Sequence, residues 1–165
     1  MVERRATRTN PYAYTLAGLP NVRLAGIRVR RCRKCGAEMP EIPRIQDLHR
    51  VIANLIVKKP GLLTGPEIRY LRKQAGFAAK QFAALIAIDP STLSRVEAGK
   101  QKLSKAPDRL ARAVSVAVGD GEAARDVLLN VAEQLHAHNR KLKQGSGELD
   151  LFTLNQRTWS ASRAA

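Results

Sequence analysis

Two cysteines, Cys32 and Cys35, are the residues whose chemistry is easiest to name from their spacing. A C-x-x-C pair followed by Gly36 is half of a zinc knuckle, because the turn aims two thiolates at one metal ion and glycine permits the tight backbone. Tetrahedral zinc needs four ligands, however, and the chain has 2 cysteines in total. Three interpretations stay open: a degenerate zinc ribbon without metal, a zinc ion shared through the four cysteines of two protomers, and a redox-active pair, which a reducing cytosol disfavours.

Four polar side chains, Ser91, Thr92, Ser94 and Arg95, project from the first half of a short predicted helix. In helix-turn-helix proteins that half of the third helix enters the major groove of DNA. Arginine can make a bidentate contact with guanine there, Ser and Thr can bond several base edges, and the helix N-terminus favours phosphate. The pattern therefore indicates a DNA-contacting surface, whereas the simpler interpretation is a solvated surface helix.

Residues 63–100 supply the elements that would hold this surface in place, as three short helices joined by tight turns. The first begins with a capping box, in which Thr64 is the N-cap and Glu67 follows three residues later. The second covers about residues 79–86, and the third begins after the N-cap Asp89. We expect the apolar side chains of the second and third helices to face the core: Phe82, Leu85, Ile86, Leu93 and Val96.

The stretch GFAAKQFAALIAIDPSTLSRVEAGK, at residues 76–100, resembles the DNA-binding core of the Cro/lambda-repressor-like (XRE) family of transcription regulators. The resemblance implies that Ser91, Thr92 and Arg95 contact bases and that Glu97 pairs within the domain. We expect contacts with backbone phosphate from polar and basic residues around the third helix: Lys80, Ser94, Lys100 and Lys102.

The chain departs from that family at two turns. Ala78 and Ala79 stand where the family often has Ser-Gln, so the second helix lacks an N-cap side chain and a frequent DNA contact. Ala87 stands where the tight turn usually has Gly, which is tolerable if the backbone there is not left-handed. We expect these changes to affect DNA affinity more than the fold.

The composition favours a polyanionic partner. The chain has 165 residues, 44% of them hydrophobic and 4% aromatic, which suits one or two small domains with aliphatic cores. The net charge of +15 indicates nucleic acid first, with a ribosome-associated or membrane-surface role as the alternative. Residues 1–60 are the more basic part, with 13 Lys and Arg against 4 Asp and Glu. Neither a membrane-spanning run nor a secretory signal is visible, so we expect a cytoplasmic location.

The N-terminal part is predicted to be a small β-domain after a basic arm. Residues 1–11 are basic without an apolar pattern. Over residues 12–31, short runs alternate apolar and polar residues between Gly, Pro and Asn, which predicts a β-meander. A helix over about 44–58 carries one apolar stripe, and Pro60-Gly61 marks a linker. The arginines of the alternating runs are expected on one solvent-facing surface: Arg23, Arg28 and Arg30.

Residues 14–53, followed by LTGPEIRYLRK at 63–73, resemble the YgiT/MqsA-type family. In that family a zinc-finger-like β-domain is joined to an XRE-type helix-turn-helix, and its members are antitoxins or stand-alone regulators that bind operators as dimers and repress their own promoters. Its zinc-binding members carry two C-x-x-C pairs, but residues 1–31 contain no cysteine, so the resemblance implies no complete zinc site here. It also implies base contacts by Ser91 and Arg95.

Together these patterns predict an α+β chain. Its predicted parts are a flexible basic arm (1–11), a zinc-finger-like β-domain with a helix (12–59), an all-α, lambda-repressor-like helix-turn-helix domain (62–118), a C-terminal helix (121–139) and a mobile tail (140–165). A fourth helix of the DNA-binding domain would start at Pro107 and close its core through Leu110, Val114 and Ala117. The C-terminal helix would either pack on its own domain or form a dimer seam.

The leading hypothesis is a sequence-specific DNA-binding transcription regulator, a homodimeric repressor of its own operon on an inverted repeat. One alternative is an antitoxin that also neutralises a cognate toxin by direct binding. A further alternative is a basic RNA-binding or ribosome-associated protein, although the narrow major groove of RNA does not admit such a helix. No paired carboxylates, activated nucleophile or phosphate-binding glycine loop is visible, so we expect no enzymatic activity and no cofactor other than the shared zinc.

Overall fold

The computed structural model describes residues 1–118, 151–155 and 158–162, and it divides into two compact units. The first contains Met1–Val51 together with two C-terminal strands, and the second contains the helical part from Ile52 onward. Helices and mainly antiparallel strands confirm the mixed α and β class. The C-terminal helix predicted at 121–139 lies outside the described residues. Within the described ranges, no helix combines the length and apolar character that a bilayer crossing requires.

The strands of the first unit form two sheets. The first sheet is antiparallel, with the order β1-β4-β5, and the second has the order β2-β3-β6-β7, in which β3 and β6 are parallel. A 3-10 turn over Thr15–Ala17 follows β2. The strands are β1 (Val2–Arg5), β2 (Tyr12–Ala13), β3 (Arg23–Ala25), β4 (Arg28–Arg31), β5 (Glu38–Glu41), β6 (Leu151–Asn155) and β7 (Thr158–Ser162).

The predicted single meander is therefore wrong. Gly26, with φ of +83°, turns the chain between β3 and β4, and these two strands enter different sheets. Arg28 and Arg30 lie on one face of β4, whereas Arg23 belongs to the other sheet, so the three arginines do not form one surface of a shared sheet. A left-handed glycine permits this change of direction without the strain that a larger residue would bear.

Both predicted flexible ends contain strands. Residues 2–5, assigned above to the basic arm, pair with β4 because its edge satisfies their backbone hydrogen-bonding groups, and Arg4 also pairs with Glu38 at 3.2 Å. Residues 151–155 and 158–162, assigned above to a mobile tail, form β6 and β7. Their sequences LFTLN and TWSAS hold the aromatic and β-branched residues that favour strands.

Five helices lie in the described residues: α1 (Ile45–Lys58), α2 (Gly65–Gln74), α3 (Ala79–Leu85), α4 (Pro90–Glu97) and α5 (Lys105–Ala117). The first four agree with the predicted helices to within two residues, and caps and glycines mark the ends of α2 and α4. Thr64 is the N-cap of α2, and its backbone N–H donates to the Glu67 carboxylate at 2.7 Å, as a capping box requires. Left-handed glycines follow α2 and α4 at Gly76 and Gly99.

The boundary between the units falls inside α1, between Val51 and Ile52, and not at the Pro60-Gly61 linker. The second half of α1 belongs to the core of the second unit, since Ile56 and Val57 are buried there. Arg112 of α5 fixes the end of this helix by donating to the backbone carbonyls of Val57 and Lys59, each at 2.7 Å.

The buried face of α5 also differs from the prediction. Leu110, expected in the core, is 40% exposed, whereas Ala111, Arg112 and Val116 are buried. Arg112 donates to the carboxylate of Asp108 at 2.9 Å, and both side chains are 1% exposed. The buried face of α5 therefore contains an ion pair as well as apolar residues. In α3, Leu85 is likewise 46% exposed and not part of the core.

Candidate nucleic-acid interface

The N-terminus of α4 is built by Asp89 and Pro90. The carboxylate of Asp89 accepts a hydrogen bond from the backbone N–H of Ser91 at 2.8 Å, and Pro90 occupies the first helical position. Hydrogen bonds from the side chain and then the backbone of Ser91 hold the pKa of Asp89 below its usual value, and the positive charge of Arg95 adds a smaller effect in the same direction. The cap therefore fixes where this exposed helix end begins.

The opposite face of α4 is held by packing. Leu93 and Val96 are buried, and α4 packs against α2 and α3. Gly65, the first residue of α2, lies so close to the backbone carbonyl of Val96 that a Cβ atom at this position would clash with it. The start of α2 thus lies so close to the end of α4 that only glycine fits at this position.

An ion pair fixes the C-terminal end of α4. Arg72 of α2 donates from Nε and Nη2 to the carboxylate of Glu97 at 2.7 and 3.0 Å, and from Nη1 to the carbonyl of Phe77 at 3.0 Å. The hydrogen bond with Glu97 raises the pKa of Arg72. Glu97 therefore pairs within the domain, as the resemblance implied. The roles of Arg72 and Gly65 were not predicted, because no local spacing connects Arg72 with Glu97 and Gly65 lies in a helix start where its small size is not conspicuous.

The outward face of α4 carries the residues predicted to contact DNA bases. Ser91 and Arg95 are exposed and lie one helical turn apart, so they share a face, whereas Thr92 is half-buried. The hydroxyl of Ser91 also interacts with the carboxylate of Asp89. Ser94 and the three lysines predicted to contact phosphate are exposed, and these lysines have no ion pair among the described residues: Lys80, Lys100 and Lys102.

Both departures from the family pattern have structural consequences. Ala87 adopts the left-handed conformation with φ of +56°. This conformation strains an alanine, so alanine is less well tolerated in this turn than glycine. Ala78 is the N-cap of α3 but has no side-chain acceptor, while the Gln81 side chain accepts from the Ala78 N–H at 3.1 Å. Half of a capping box is thus present at the start of α3.

Part of the basic charge of the first unit is neutralised by ion pairs. Arg28 pairs with Glu41 at 2.9 Å and Arg30 with Glu3 at 3.8 Å, in addition to the pair formed by Arg4. The cations of this unit that form no ion pair among the described residues are Arg5, Arg8, Arg23, Arg31, Arg33 and Lys34. These six remain available to a polyanion.

The two cysteines lie at the tip of the hairpin that joins β4 to β5, and both are free thiols. Cys32 N–H donates to the Ala37 carbonyl at 2.9 Å, and Gly36 N–H donates to the Cys32 carbonyl at 3.0 Å. Hydrogen bonds from the backbone N–H groups of Cys35 and Lys34 lower the pKa of Cys32. In the described part of the chain, no three His, Cys, Asp or Glu side chains converge on one point, so these donors fit half of a tetrahedral site.

Residues 68–106 match a model of the helix-turn-helix family. The matched range covers most of α2, all of α3 and α4, and the first residues of α5. Neither the curated proteins nor the solved structures contain a match to the chain. Over this region the chain is therefore similar to the helix-turn-helix family, and α4 is the third helix of the matched region and its surroundings.

Proposed function

We propose that this protein is a sequence-specific transcription regulator that binds an inverted repeat as a homodimer and represses its own operon. One observation carries the proposal: Ser91 and Arg95 share the exposed face of α4, which is capped, packed and ion-paired on its other sides. A helix fixed in this way can present side chains to the major groove in one geometry, which sequence recognition requires.

The chemistry of this face fits base and phosphate contacts. The guanidinium of Arg95 can donate in a bidentate manner to guanine, and the Ser91 hydroxyl can bond a base edge. The exposed Lys80, Lys100 and Lys102 can hold the phosphate backbone and fix the register of the helix on the duplex. Thr92 is half-buried, so it would make a smaller contact with the DNA bases than Ser91 and Arg95.

Dimerisation is part of the proposal because one short helix contacts few base pairs. Two copies related by two-fold symmetry would place their α4 helices in successive major grooves, about 34 Å apart. This role requires no catalysis, and we propose a cytoplasmic, non-enzymatic protein. No observation in the described residues favours the antitoxin or the RNA-binding alternative.

Fluorescence anisotropy tests the proposal with DNA from immediately upstream of the gene. The control duplex has the same composition in scrambled order, and both are measured at two salt concentrations. We expect the upstream duplex to bind much more tightly, and both affinities to fall steeply with salt because bound lysines and arginines release counterions. Equal affinities for the two duplexes would contradict sequence-specific autoregulation and favour general binding to nucleic acid.

A further inference from the structure

We propose that the tip of the β4–β5 hairpin, residues 31–36, is a second DNA-contacting element that binds backbone phosphates and reads no bases. Its partner is the same duplex that α4 would bind, so this inference rests on the proposed function and names a further contact with that duplex. The side chains that make the contact are the three cations of the hairpin tip: Arg31, Arg33 and Lys34.

Farther from the tip, the charges of the hairpin are neutralised in pairs. Arg28 lies opposite Glu41 in the ladder, and its guanidinium is 2.9 Å from that carboxylate. Arg30 lies opposite Glu3 of β1 and pairs with it at 3.8 Å. Cross-strand pairs of opposite charge stabilise a sheet. This part of the hairpin therefore has little free charge to offer a polyanion.

Arg31 is the first cation toward the tip that lacks a carboxylate partner. It lies opposite Glu38, but both carboxylate oxygens of Glu38 accept hydrogen bonds from Arg4, at 3.2 and 3.3 Å. The guanidinium of Arg31 instead lies near the turn, with its Nη2 atom 3.6 Å from the position that a Cβ atom of Gly36 would occupy. Because Arg4 occupies Glu38, the charge of Arg31 stays available at the hairpin tip.

Arg33 and Lys34 add two further charges at the end of the hairpin. Both are exposed, and over residues 1–118 and the two C-terminal strands neither they nor Arg31 form an ion pair. The next acidic residue along the chain is Glu38, which Arg4 occupies. The hairpin tip thus has three cations within six residues and no carboxylate to neutralise them, which is the charge pattern that attracts a polyanion.

The backbone of the turn holds these cations in a fixed arrangement. A hydrogen bond from the Cys32 N–H to the Ala37 carbonyl, at 2.9 Å, continues the ladder past its last strand pair. The Gly36 N–H donates to the Cys32 carbonyl at 3.0 Å, and Gly36 has the left-handed φ of +72° that closes the turn. A turn fixed in this way loses less conformational entropy on binding than a loose loop would.

The phosphate backbone of DNA is the partner whose chemistry fits this surface. Guanidinium groups donate two parallel hydrogen bonds to a phosphate, and an ammonium group adds a point charge. Such contacts hold the protein on the duplex and carry no sequence information. A duplex bound through α4 is held by the same chain, which raises the effective concentration of phosphate at the hairpin tip. A two-stranded β-ribbon is also narrow enough for the major groove of DNA.

The salt dependence of binding tests this contact in the full-length protein. Anisotropy is measured over a series of salt concentrations on the upstream duplex, on the scrambled duplex and on an RNA duplex of the upstream sequence. The tip variant is Arg33→Gln/Lys34→Gln. Its matched control is Arg28→Gln/Arg30→Gln, which removes two cations of the same hairpin that are already paired with glutamates. Far-ultraviolet circular dichroism checks that both variants are folded.

We expect the tip variant to reduce the slope of log K against log salt by about 1.8 on both DNA duplexes, since each lost phosphate contact removes about 0.9. Its preference for the upstream duplex should stay that of the wild type, and the control should change the slope by less than half as much. A wild-type slope in the tip variant, equal reductions in the two variants, or a reduction confined to the RNA duplex would each overturn this inference. A wild-type protein that binds both DNA duplexes alike would instead refute sequence-specific regulation and leave the comparison of the variants intact.

Discussion

Ala87 lies in the turn between α3 and α4 with φ of +56°, where an L-residue with a side chain is strained. The left-handed conformation costs such a residue about 1–2 kcal/mol, while glycine costs about 0.5–1 kcal/mol through the entropy of the unfolded chain. We therefore expect Ala87→Gly to raise the free energy of unfolding of the second unit by about 0.5–1 kcal/mol.

Urea unfolding followed by far-ultraviolet circular dichroism measures this change. Ala84→Gly is the matched control, since Ala84 is exposed inside α3 and glycine there should cost about 1 kcal/mol of helix stability. If both substitutions destabilise to the same extent, the turn is not strained at Ala87.

The cap of α4 predicts a dependence of stability on pH. The pKa of Asp89 in the folded protein is below its unfolded value of 3.8. The carboxylate therefore contributes stability that is present above pH 3.8 and is lost as the pH falls through the folded pKa. Asp89→Asn keeps a capping oxygen without a titrating group, so we expect its stability difference from the wild type to shrink at low pH.

Thermal unfolding of both proteins at neutral pH and below pH 3.8 checks this expectation. A difference that is the same at both pH values would show that the charge of Asp89 does not support the helix.

At the scale of an element, α3 begins without a side-chain cap. Gln81 already accepts from the backbone N–H of Ala78 at 3.1 Å, and a hydroxyl at position 78 would supply the reciprocal acceptor. We expect Ala78→Ser to stabilise the second unit by about 1 kcal/mol. The measurement is the midpoint of urea unfolding, with Ala79→Ser as the control, because a serine one residue later lies inside the helix and gains no capping bond. An Ala78→Ser midpoint at or below that of the control would contradict a missing cap.

Arg112 connects α5 to the segment that follows α1. It pairs with the buried Asp108 and donates to the carbonyls of Val57, Lys59 and Gly61. Asp108 in turn accepts from the backbone N–H of Leu63 at 2.7 Å. Removing one member of such a buried pair leaves an uncompensated charge, which costs about 3–5 kcal/mol.

We expect Arg112→Met to lower the free energy of unfolding of the second unit by about 3–5 kcal/mol. Arg109→Met is the matched control, because Arg109 is an exposed residue of the same helix. Equal effects of the two substitutions in urea unfolding would mean that the network does not hold the segment after α1.

The elements that the sequence predicted best are those with local end signals. Thr64, Asp89 and Gly99 mark helix ends through their own backbone and side-chain chemistry, so α2 and α4 were placed closely. The predicted buried face of α5 was wrong because it was drawn from apolar residues alone, whereas the charged Asp108 and Arg112 are buried there as an ion pair.

Features that depend on distant residues were also missed. The division into two sheets depends on β1 pairing with β4 and on β3 pairing with β6, which is more than 120 residues away in sequence. At Ala87 the residue itself gives no signal of a left-handed turn, since alanine is not the residue that such a turn favours, and only the glycine usual at this position in the resembling family pointed to it. For the candidate site, composition and spacing identified the exposed residues of α4, and tertiary contacts supplied Gly65 and Arg72, which hold it.

At the scale of the whole molecule, charge and shape have different roles. The net charge of +15 can bind any polyanion, and it supplies affinity without sequence preference. Sequence preference must come from side chains that reach base edges, and Arg95 on the exposed face of α4 is the strongest donor available there. In the proposed function, Arg95 therefore selects the DNA sequence, and the other cations bind the phosphate backbone.

The most direct test compares Arg95→Ala with Arg69→Ala in anisotropy on the upstream and scrambled duplexes. Arg69 is an exposed arginine of α2, so both variants lose one positive charge. We expect Arg95→Ala to cost about 1–3 kcal/mol on the upstream duplex and little on the scrambled one, and Arg69→Ala to weaken both slightly and equally. If Arg95→Ala weakens both duplexes by the same amount as Arg69→Ala, α4 does not select the DNA sequence and the central claim is wrong.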